Sequence, residues 1–368
     1  MTERKDSPLK IFSIYRILIP VILGLGVGVF MISREYMKNK DVFSDLASLF
    51  TSYSFLCLFI AFLFECNREF MYMYRLRLLT DNKLSWKKCF QIIMLWEFSS
   101  TLTPTSVGGS AVALFIIPLE GIGAGRSTAV VMLATLMDEL FYIIITPLVI
   151  LLIGTNTAFA THFRFSFLGF EFSEMNIFFI GYSFMMLLTL FILVAIFFYP
   201  VKFKNLLYKL GNTSIFRKWG HKFFKMGDDV VTSSNEFKNK SFIYWLKIYG
   251  ASVFSWTSRF LVMNFILMAF NSNIGGLFDN LTIYCRQLVM WIVLCISPTP
   301  GSSGVAEFAF PLFLNEFLPK GLQGILALLW RLFTYYPYII VGLLVLPYWT
   351  KRVFAKKNRQ KSPTVNKN

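Results

Sequence analysis

Charged side chains lie inside long apolar stretches of this sequence, and their types and positions define the chemistry open to it. Asp138 lies near the middle of the apolar run from Ser127 to Ile153, and Arg259 lies near the middle of the run from Ile248 to Phe270. A charge at that depth costs about 2.5–3.5 kcal/mol on insertion scales, so such residues normally face a protein interior or a water-filled cavity and pair there. They could bind a charged headgroup, a cation or a proton, or form a structural salt-bridge network.

Two motifs rich in proline and glycine, TLTPTSVGG and SPTPGSSG, interrupt other apolar stretches. Short helices that end at such breaks direct unpaired N–H groups and positive dipole ends to one point, which suits an anion such as phosphate. Arginine would add a bidentate fork for the same group. The predicted substrate-binding residues are Glu97, Thr103, Pro104, Thr105, Gly108, Gly109, Asp138, Glu139, Arg259, Arg286, Pro298, Thr299, Pro300, Gly301, Gly304, Glu307 and Arg331.

Residues typical of metal sites and of hydrolytic catalysis are scarce. The five cysteines have no CxxC spacing, and the two histidines, His162 and His221, lie in polar loops. This pattern favours neither a zinc site nor Ser-His or Cys-His catalysis. No nucleotide-binding loop is present. We therefore predict no metal, no cofactor and no catalytic constellation, although an intramembrane enzyme with a carboxylate base such as Asp138 stays open as an alternative.

The composition requires a membrane. Of the 368 residues, 56% are hydrophobic and only 15% are charged, with a mean hydropathy of +0.59. Soluble domains carry about 25% charged residues and could not bury this much apolar surface. A soluble enzyme, a nucleic-acid-binding domain and a disordered chain are therefore excluded, despite the formal net charge of +16.

Six apolar runs are long enough to cross about 30 Å of hydrocarbon. They are Ile11–Ile32, Leu46–Cys66, Ser127–Ile153, Met175–Tyr199, Ile248–Phe270 and Leu322–Trp349. Two further regions, Cys89–Glu120 and Leu281–Leu318, are broken by the two motifs into arms of roughly 13–17 residues, or about 20–26 Å of helix. Most of these arms are too short to cross, so they predict re-entrant hairpins surrounded by protein or water.

The distribution of basic residues predicts the orientation. With the N-terminus inside, the inner segments 1–10, 67–88, 200–247 and 350–368 hold 26 Lys and Arg residues, and the outer segments hold 4. The two hairpins then enter from opposite faces of the membrane. Each hairpin lies between two crossings, and the crossings of the first half run in the opposite direction to those of the second half. The predicted fold is an all-α polytopic membrane protein with six full transmembrane helices and two re-entrant helical hairpins arranged as an inverted repeat, as in secondary transporters.

The predicted organisation is a single transmembrane domain between cytoplasmic ends. A cytoplasmic N-terminus covers residues 1–10, the domain covers 11–349 and a basic cytoplasmic tail covers 350–368. The repeats are placed at about 46–153 and 248–349. They are separated by a basic cytoplasmic connector, 200–247, whose amphipathic helices are predicted to lie on an anionic leaflet.

The segments PTPGSSGVAEF (298–308) and TPTSVGGSAVALF (103–115), together with Arg331, resemble the lysylphosphatidylglycerol synthase transmembrane-region family of flippase-like membrane proteins. The resemblance covers roughly residues 10–350. It implies a domain that moves lipid between leaflets, which in bifunctional relatives precedes a soluble domain that charges phosphatidylglycerol with an amino acid. The chain ends soon after its last predicted span, so it is similar to the translocase part without the synthase.

The leading hypothesis is a lipid translocase of the plasma (bacterial inner) membrane, acting on a phospholipid or other lipid with a charged headgroup. Arg259 and Arg331 would neutralise the phosphate, and Asp138 with Glu307 would accept an amine or a proton. The expected partners are membrane lipids with anionic or zwitterionic headgroups, together with a partner synthase, and no nucleic acid. The alternatives are the intramembrane enzyme and a non-transporting scaffold that docks a synthase. The sequence leaves the lipid, the energy source and the oligomeric state open.

Overall fold

The computed structural model describes residues 14–38, 46–103, 107–159, 164–167, 170–214, 216–217, 220–295, 297 and 299–361. Within them, six helical stretches are long and apolar enough to cross a membrane. They are Leu18–Lys38, Gly125–Ile153, Glu174–Phe198, Phe242–Phe270, Leu277–Leu294 and Gln323–Val353. Large apolar side chains such as Leu151, Phe184 and Leu344 are exposed on these stretches, as expected for helices that face lipid. The prediction of a helical polytopic membrane protein is confirmed.

The first half of the chain is built from helices and one β-hairpin. These elements are α1 (Ile14–Lys38), α2 (Ser52–Leu79), α3 (Trp86–Leu102), α4 (Val107–Leu119), α5 (Ala124–Ile153), the single turn α6 (Thr155–Ala158), β1 (Arg164–Phe167), β2 (Phe170–Ser173) and α7 (Glu174–Leu193). The strands β1 and β2 pair antiparallel. A 3₁₀ turn (Leu46–Leu49) precedes α2, and a π-helical turn (Val194–Phe198) continues α7.

The regular elements of the second half, among its described residues, are all helices or helical turns. It contains α8 (Pro200–Asn212), α9 (Gly220–Lys238), α10 (Phe242–Phe270), α11 (Leu277–Leu294), α12 (Val305–Leu314), a 3₁₀ turn (Asn315–Phe317), α13 (Gln323–Thr334) and α14 (Tyr336–Lys361). Tyr335 separates α13 from α14 within the last apolar stretch. Helix α14 continues beyond the predicted end of the span at Trp349, so the tail predicted from residue 350 begins as helix.

Hydroxyl side chains cap the N-termini of α2, α3 and α10. Thr51 caps α2 by accepting from the N–H of Ser54 at 3.2 Å, and the Ser54 hydroxyl accepts in turn from the N–H of Thr51. Ser85 caps α3 and Ser241 caps α10 through the same side-chain bond to the backbone three residues on. Each cap satisfies an N–H that the first helical turn leaves unpaired, so these local signals determine where the helices begin.

Helix α2 is the main difference from the predicted spans. The sequence predicts a crossing from Leu46 to Cys66 followed by a cytoplasmic loop at 67–88, but the helix continues to Leu79. The loop assignment for residues 67–79 is therefore wrong, because the charged residues there are helical and partly buried rather than solvated. Helix α2 is also not among the six apolar stretches. These instead include Leu277–Leu294, which was predicted as the first arm of the second hairpin.

Helices α2 and α10 pack against each other in antiparallel orientation. The hydroxyl of Ser54 donates to the carbonyl of Ala269 at 2.7 Å near one end of the pair. The hydroxyl of Tyr244 donates to the carbonyl of Leu78 at 3.2 Å near the other end. Small polar residues between these ends allow the two backbones to approach closely, as is typical of helices that pack within a membrane.

The other helices also pack on one another in defined pairs. Helices α3 and α4 pack against each other across the first break, and α11 and α12 do so across the second. Helix α3 also packs on α14, and α11 packs on α5. Helix α1 packs on α3 and α13, and α7 packs on α11 and α5.

Candidate functional site

The two breaks contact each other directly. The backbone N–H of Gly301 in the second break donates to the carbonyl of Thr103 in the first at 3.2 Å. The hydroxyl of Tyr335 donates to the carbonyl of Thr101 at 3.2 Å and accepts from Ser303 at 3.0 Å. The structure thus brings the predicted site residues Thr103 and Gly301 together. The predicted residues Pro104, Thr105 and Pro298 lie outside the described residues.

The glycine pair of the first motif permits the close packing of α3 and α4. A Cβ atom at Gly108 would collide with the side chain of Thr103, and one at Gly109 would collide with the hydroxyl of Ser100. These glycines therefore determine how closely the two arms of the first hairpin approach, and a larger residue at either position would push α4 away from α3.

A buried ion pair stabilises the second break. Glu307 is fully buried, and its Oε1 accepts from Nε of Arg331 at 3.0 Å. Its Oε2 accepts from the N–H of Gly304 at 2.7 Å. Arg331 also donates to the carbonyl of Gly301 at 3.1 Å and to the hydroxyl of Ser303 at 3.3 Å. The pair therefore bonds to the backbone of the break itself, and the charge of Arg331 is neutralised there.

The other predicted residues of the second break belong to its turns. The hydroxyls of Thr299 and Ser297 lie 3.0 Å apart, and the carbonyl of Pro300 accepts from the N–H of Ser303 at 3.0 Å. Gly301 and Gly304 both adopt positive φ angles, +57° and +83°. Glycine reaches such angles without the steric cost that other residues meet.

Replacing Gly301 with alanine is expected to lower the free energy of unfolding by about 1–3 kcal/mol, the usual cost of strain at such a backbone position. A Cβ atom there would lie 2.6 Å from Cε2 of Tyr335 and 2.9 Å from the carbonyl oxygen of Thr101. Thermal unfolding of the purified protein in detergent measures the change. Gly250→Ala is the control, because nothing lies within 4 Å of the added methyl group. Equal unfolding temperatures for the two variants would contradict this close contact.

A second group of charges surrounds Arg68 on α2. Nη2 of Arg68 lies 3.2 Å from Oε1 of Glu97, and its Nη1 lies 3.8 Å from Oε1 of Glu65 and also contacts Glu69. The hydroxyl of Tyr338 accepts from Arg68 and lies within hydrogen-bond distance of both Glu65 and Glu69. The guanidinium group of Arg68 thus faces three carboxylates, and the side chain of Arg68 is only 2% exposed.

A third group continues along the same face of α2. Arg75 forms a fork to Asp138, with Nη2 3.1 Å from Oδ2 and Nη1 in contact with Oδ1. It also donates to the hydroxyl of Ser252 at 2.6 Å. Nε1 of Trp256 donates to Oδ1 of Asp138 at 2.8 Å. Bidentate pairing of this kind holds the planar guanidinium in one orientation.

The ring of Tyr72 lies between these two groups and joins them. The guanidinium carbon of Arg68 is 4.9 Å from its centroid, and that of Arg75 is 4.7 Å away. The two groups therefore form one continuous charged seam, which comprises Glu65, Arg68, Glu69, Tyr72, Arg75, Glu97, Asp138 and Tyr338. With all groups ionised, four carboxylates would face two guanidinium groups. Oε2 of Glu65, Oε2 of Glu69 and Nε of Arg68 are buried without a hydrogen-bond partner among the described residues.

Arg259 differs from the other embedded arginines. Its guanidinium carbon lies 4.6 Å from the ring centroid of Trp291 and 5.8 Å from that of Trp256. Within the described part of the chain no carboxylate lies within ion-pair distance of it. Trp256 bonds to Asp138, so Arg259 adjoins the charged seam through that ring. Arg259 is therefore a half-buried cation whose described partners are aromatic rings rather than carboxylates.

Two predicted site residues lie elsewhere. Arg286 donates to the carbonyls of Thr157 and Phe313 and pairs with Glu316 at 3.1 Å. It therefore joins α11 to the turns that follow α5 and α12. Glu139 accepts from the hydroxyl of Thr189 on α7 at 2.7 Å and points away from the Arg75 fork. Neither residue contacts the charged seam through these bonds.

Most residues of the charged seam are not among the site residues predicted from the sequence. The predicted second span ends at Cys66, so the charges that follow it fall in a predicted loop. Their spacing carried a usable signal: Glu65, Arg68, Tyr72 and Arg75 recur at intervals of three and four residues, which places them on one helical face. A charged stripe of this kind, directly after an apolar run, indicates a continuing helix whose polar face is buried in the protein.

No group of three or more His, Cys, Asp or Glu side chains among the described residues is arranged to hold a metal ion. The class that the geometry defines is instead a polytopic helical membrane protein, in which a buried seam of both charge signs adjoins two broken helix pairs.

Comparison with known proteins identifies the family. The chain matches the family described as the lysylphosphatidylglycerol synthase TM region over residues 17–342 and belongs to it. It is similar to a UPF0104 membrane protein of Archaeoglobus fulgidus, with 27% identity over 333 residues, covering 88% of this chain and 94% of that protein. No solved structure matches the chain at a significant level.

Proposed function

We propose that the protein moves a lipid with a charged headgroup between membrane leaflets, with the headgroup in the polar interior and the acyl chains in hydrocarbon. The observation that carries the proposal is the charged seam, because buried charges in a membrane normally mark a pathway for a polar substrate. The seam is partly open: the side chain of Asp138 is 24% exposed and that of Glu97 is 21% exposed.

The contact between the breaks lies one helical turn from the seam. Glu97 is four residues before Thr101 on α3, and Tyr338 follows Tyr335 by three residues. A headgroup in this space would meet backbone from both broken segments and charges of both signs. Such a site can orient a zwitterionic or anionic headgroup. Hydrogen bonds to the protein would replace those that the headgroup makes to water, which lowers the free-energy cost of its desolvation.

The pairing of each arginine refines the roles expected from the sequence. Arg331 is committed to Glu307 and to the backbone of the second break, so its role in the proposal is to hold that break. Arg259 has no carboxylate partner in the described part of the chain and would bind the phosphate. Asp138 and Glu97 are partly exposed and would accept an amine or a proton from the headgroup side.

An inverted repeat is the second part of the proposal. The packing of the helices supports it. In the proposed repeat the counterparts are α1 and α7, α2 and α10, α3 and α11, α4 and α12, and α5 and the α13–α14 pair. When each helix is replaced by its counterpart, most of the observed helix contacts become other observed contacts. The antiparallel packing of α2 on α10 fits an axis in the membrane plane. The first repeat would then begin with α1 rather than α2, and the second with α7 rather than α10.

Re-entrant hairpins would place both breaks near the middle of the membrane. Helices α3, α4 and α12 contain 17, 13 and 10 residues. At about 1.5 Å per residue they reach about 26 Å or less, short of the 30 Å hydrocarbon core. Helix α11, with 18 residues, reaches about 27 Å and is the arm closest to a full crossing. The excess of basic residues on inner segments supports cytoplasmic termini in a plasma membrane.

Replacing Arg259 with glutamine is expected to reduce translocation of an anionic phospholipid at least about tenfold, since a hydrogen bond to a charged group contributes about 1.5–3 kcal/mol. The measurement uses purified protein in liposomes that contain a fluorescent phosphatidylglycerol, with chemical quenching of the outer leaflet over time. The thermal unfolding temperature should stay close to that of the native protein, because no ion pair of the described residues is broken.

Arg164→Gln is the matched control, because Arg164 is an exposed arginine on β1 whose contact with Glu171 spans 3.5 Å at the surface. It should translocate lipid at the native rate. Native rates for the Arg259→Gln protein would remove Arg259 from the proposed site. Absence of translocation by the native protein itself, in liposomes of several lipid compositions, would reject the proposed function.

A further inference from the structure

A groove runs along α8 where this helix meets the end of α7. One cavity of about 190 Å³ is lined by Phe191, Val194, Ala195, Phe203 and Leu206, with Lys202 at its rim. A second cavity of about 280 Å³ adjoins it and is lined by Lys202, Asn205, Leu206 and Lys209. Lys202 and Leu206 belong to both cavities, so together they form one α8 groove, apolar at the α7 end and cationic at the other.

The π-helical turn at the end of α7 helps to shape this groove. The N–H of Tyr199 bonds to the carbonyl of Val194 at 2.8 Å, five residues back, and Pro200 then begins α8 in a new direction. Helix α8 packs on α9 and on the π-helical turn. The change of direction leaves Tyr199 and Leu206 exposed beside the apolar end of the groove.

The lysines of α8 differ in whether a carboxylate already neutralises them. Lys204 pairs with Asp228 on α9, and the hydroxyl of Tyr208 donates to the same carboxylate at 2.9 Å. These hydrogen bonds lower the pKa of Asp228, and Asp228 raises the pKa of Lys204. Lys202 and Lys209 have no carboxylate within ion-pair distance among the described residues. Lys202 lies 4.2 Å from the ring centroid of Tyr199.

We propose that the α8 groove binds one anionic phospholipid from the adjacent leaflet, with an acyl chain along the apolar end and the phosphate between Lys202 and Lys209. The complementarity is twofold: an apolar channel that continues the lipid-facing surface of α7, and two available ammonium groups at its mouth. Basic residues at the edge of a membrane attract anionic lipids through the same electrostatic interaction. This lipid is not the transported one, because the groove lies outside the charged seam.

The test measures lipid retention by the full chain. Purified protein in detergent is titrated with phosphatidylglycerol or phosphatidylcholine, and bound lipids are counted by native mass spectrometry. The native protein should bind one phosphatidylglycerol more tightly than phosphatidylcholine. The Lys202→Gln/Lys209→Gln double variant should bind it about thirtyfold more weakly, from the usual contribution of two basic residues. Inorganic phosphate should not displace the lipid.

Lys225→Gln is the matched control, because Lys225 is exposed on α9 and does not line either cavity. It should leave phosphatidylglycerol binding unchanged. Equal binding by the double variant and the Lys225→Gln protein would overturn the proposal. Equal affinity of the native protein for the two lipids, or displacement by inorganic phosphate alone, would overturn it as well.

Discussion

The Arg68→Gln protein is expected to fold poorly, with a free energy of unfolding about 3–5 kcal/mol below that of the native protein. Among the described residues, Arg68 is the one positive side chain in contact with Glu65, Glu69 and Glu97, and it is 2% exposed. Glutamine would leave three carboxylates close together in a buried position without the charge that compensates them. Thermal unfolding in detergent, followed by tryptophan fluorescence, measures the loss.

The control for this experiment is on the same helix. Arg77 stacks on Trp86 and donates to the carbonyl of Leu84 at 3.2 Å, away from the carboxylates. Arg77→Gln is therefore expected to change stability by only about 1 kcal/mol. Adding Glu97→Gln to Arg68→Gln should restore part of the lost stability, since it removes one of the uncompensated charges. A native unfolding temperature for Arg68→Gln would show that the seam is solvated rather than buried.

The Arg331→Gln protein is expected to lose about 3–5 kcal/mol of stability as well. Its partner Glu307 is fully buried and would remain as an unpaired carboxylate beside the second break. The bonds from Arg331 to the carbonyl of Gly301 and the hydroxyl of Ser303 would also be lost. Because these bonds hold the break, we expect the second hairpin to become sensitive to added protease in detergent.

The double variant Glu307→Gln/Arg331→Gln separates charge from geometry. It removes both charges, so it should recover a substantial part of the loss, as is common when a buried ion pair is replaced as a unit. A double variant less stable than Arg331→Gln would contradict the assignment of a compensating pair. Glu307→Gln alone should also destabilise the protein, because it leaves the guanidinium group buried without a carboxylate.

These results would divide the embedded arginines by role. Arg68, Arg75 and Arg331 are neutralised by carboxylates and hold α2, α5, α12 and α13 in place. Arg259 contacts only aromatic rings among its described charged and aromatic neighbours. Under the proposed function, substitutions at the first three positions should lower stability and lipid translocation together, whereas substitution of Arg259 should lower translocation alone.

Local features of the sequence predicted the elements around the site better than the site itself. The Pro- and Gly-rich motifs predicted both breaks, and Thr103 and Gly301 are indeed in contact. The intramembrane position of Asp138 was also recognisable, because a carboxylate in a long apolar run is unusual. Its partner Arg75 was not, because a helix that continues past an apolar run looks like a loop when only hydropathy is considered.

Composition, apolar runs and the proline- and glycine-rich motifs were enough to identify a helical membrane protein, the two broken helix pairs and the charges embedded in apolar runs. Composition and proline or glycine act locally, so their effects can be seen without a fold. The pairing of those charges became visible only in the folded chain. Arg331 pairs with Glu307, and Arg75 pairs with Asp138 across 63 positions of the chain. Such pairings depend on which helix faces meet, because the partner of a buried charge is a residue that helix packing brings next to it from a distant part of the chain.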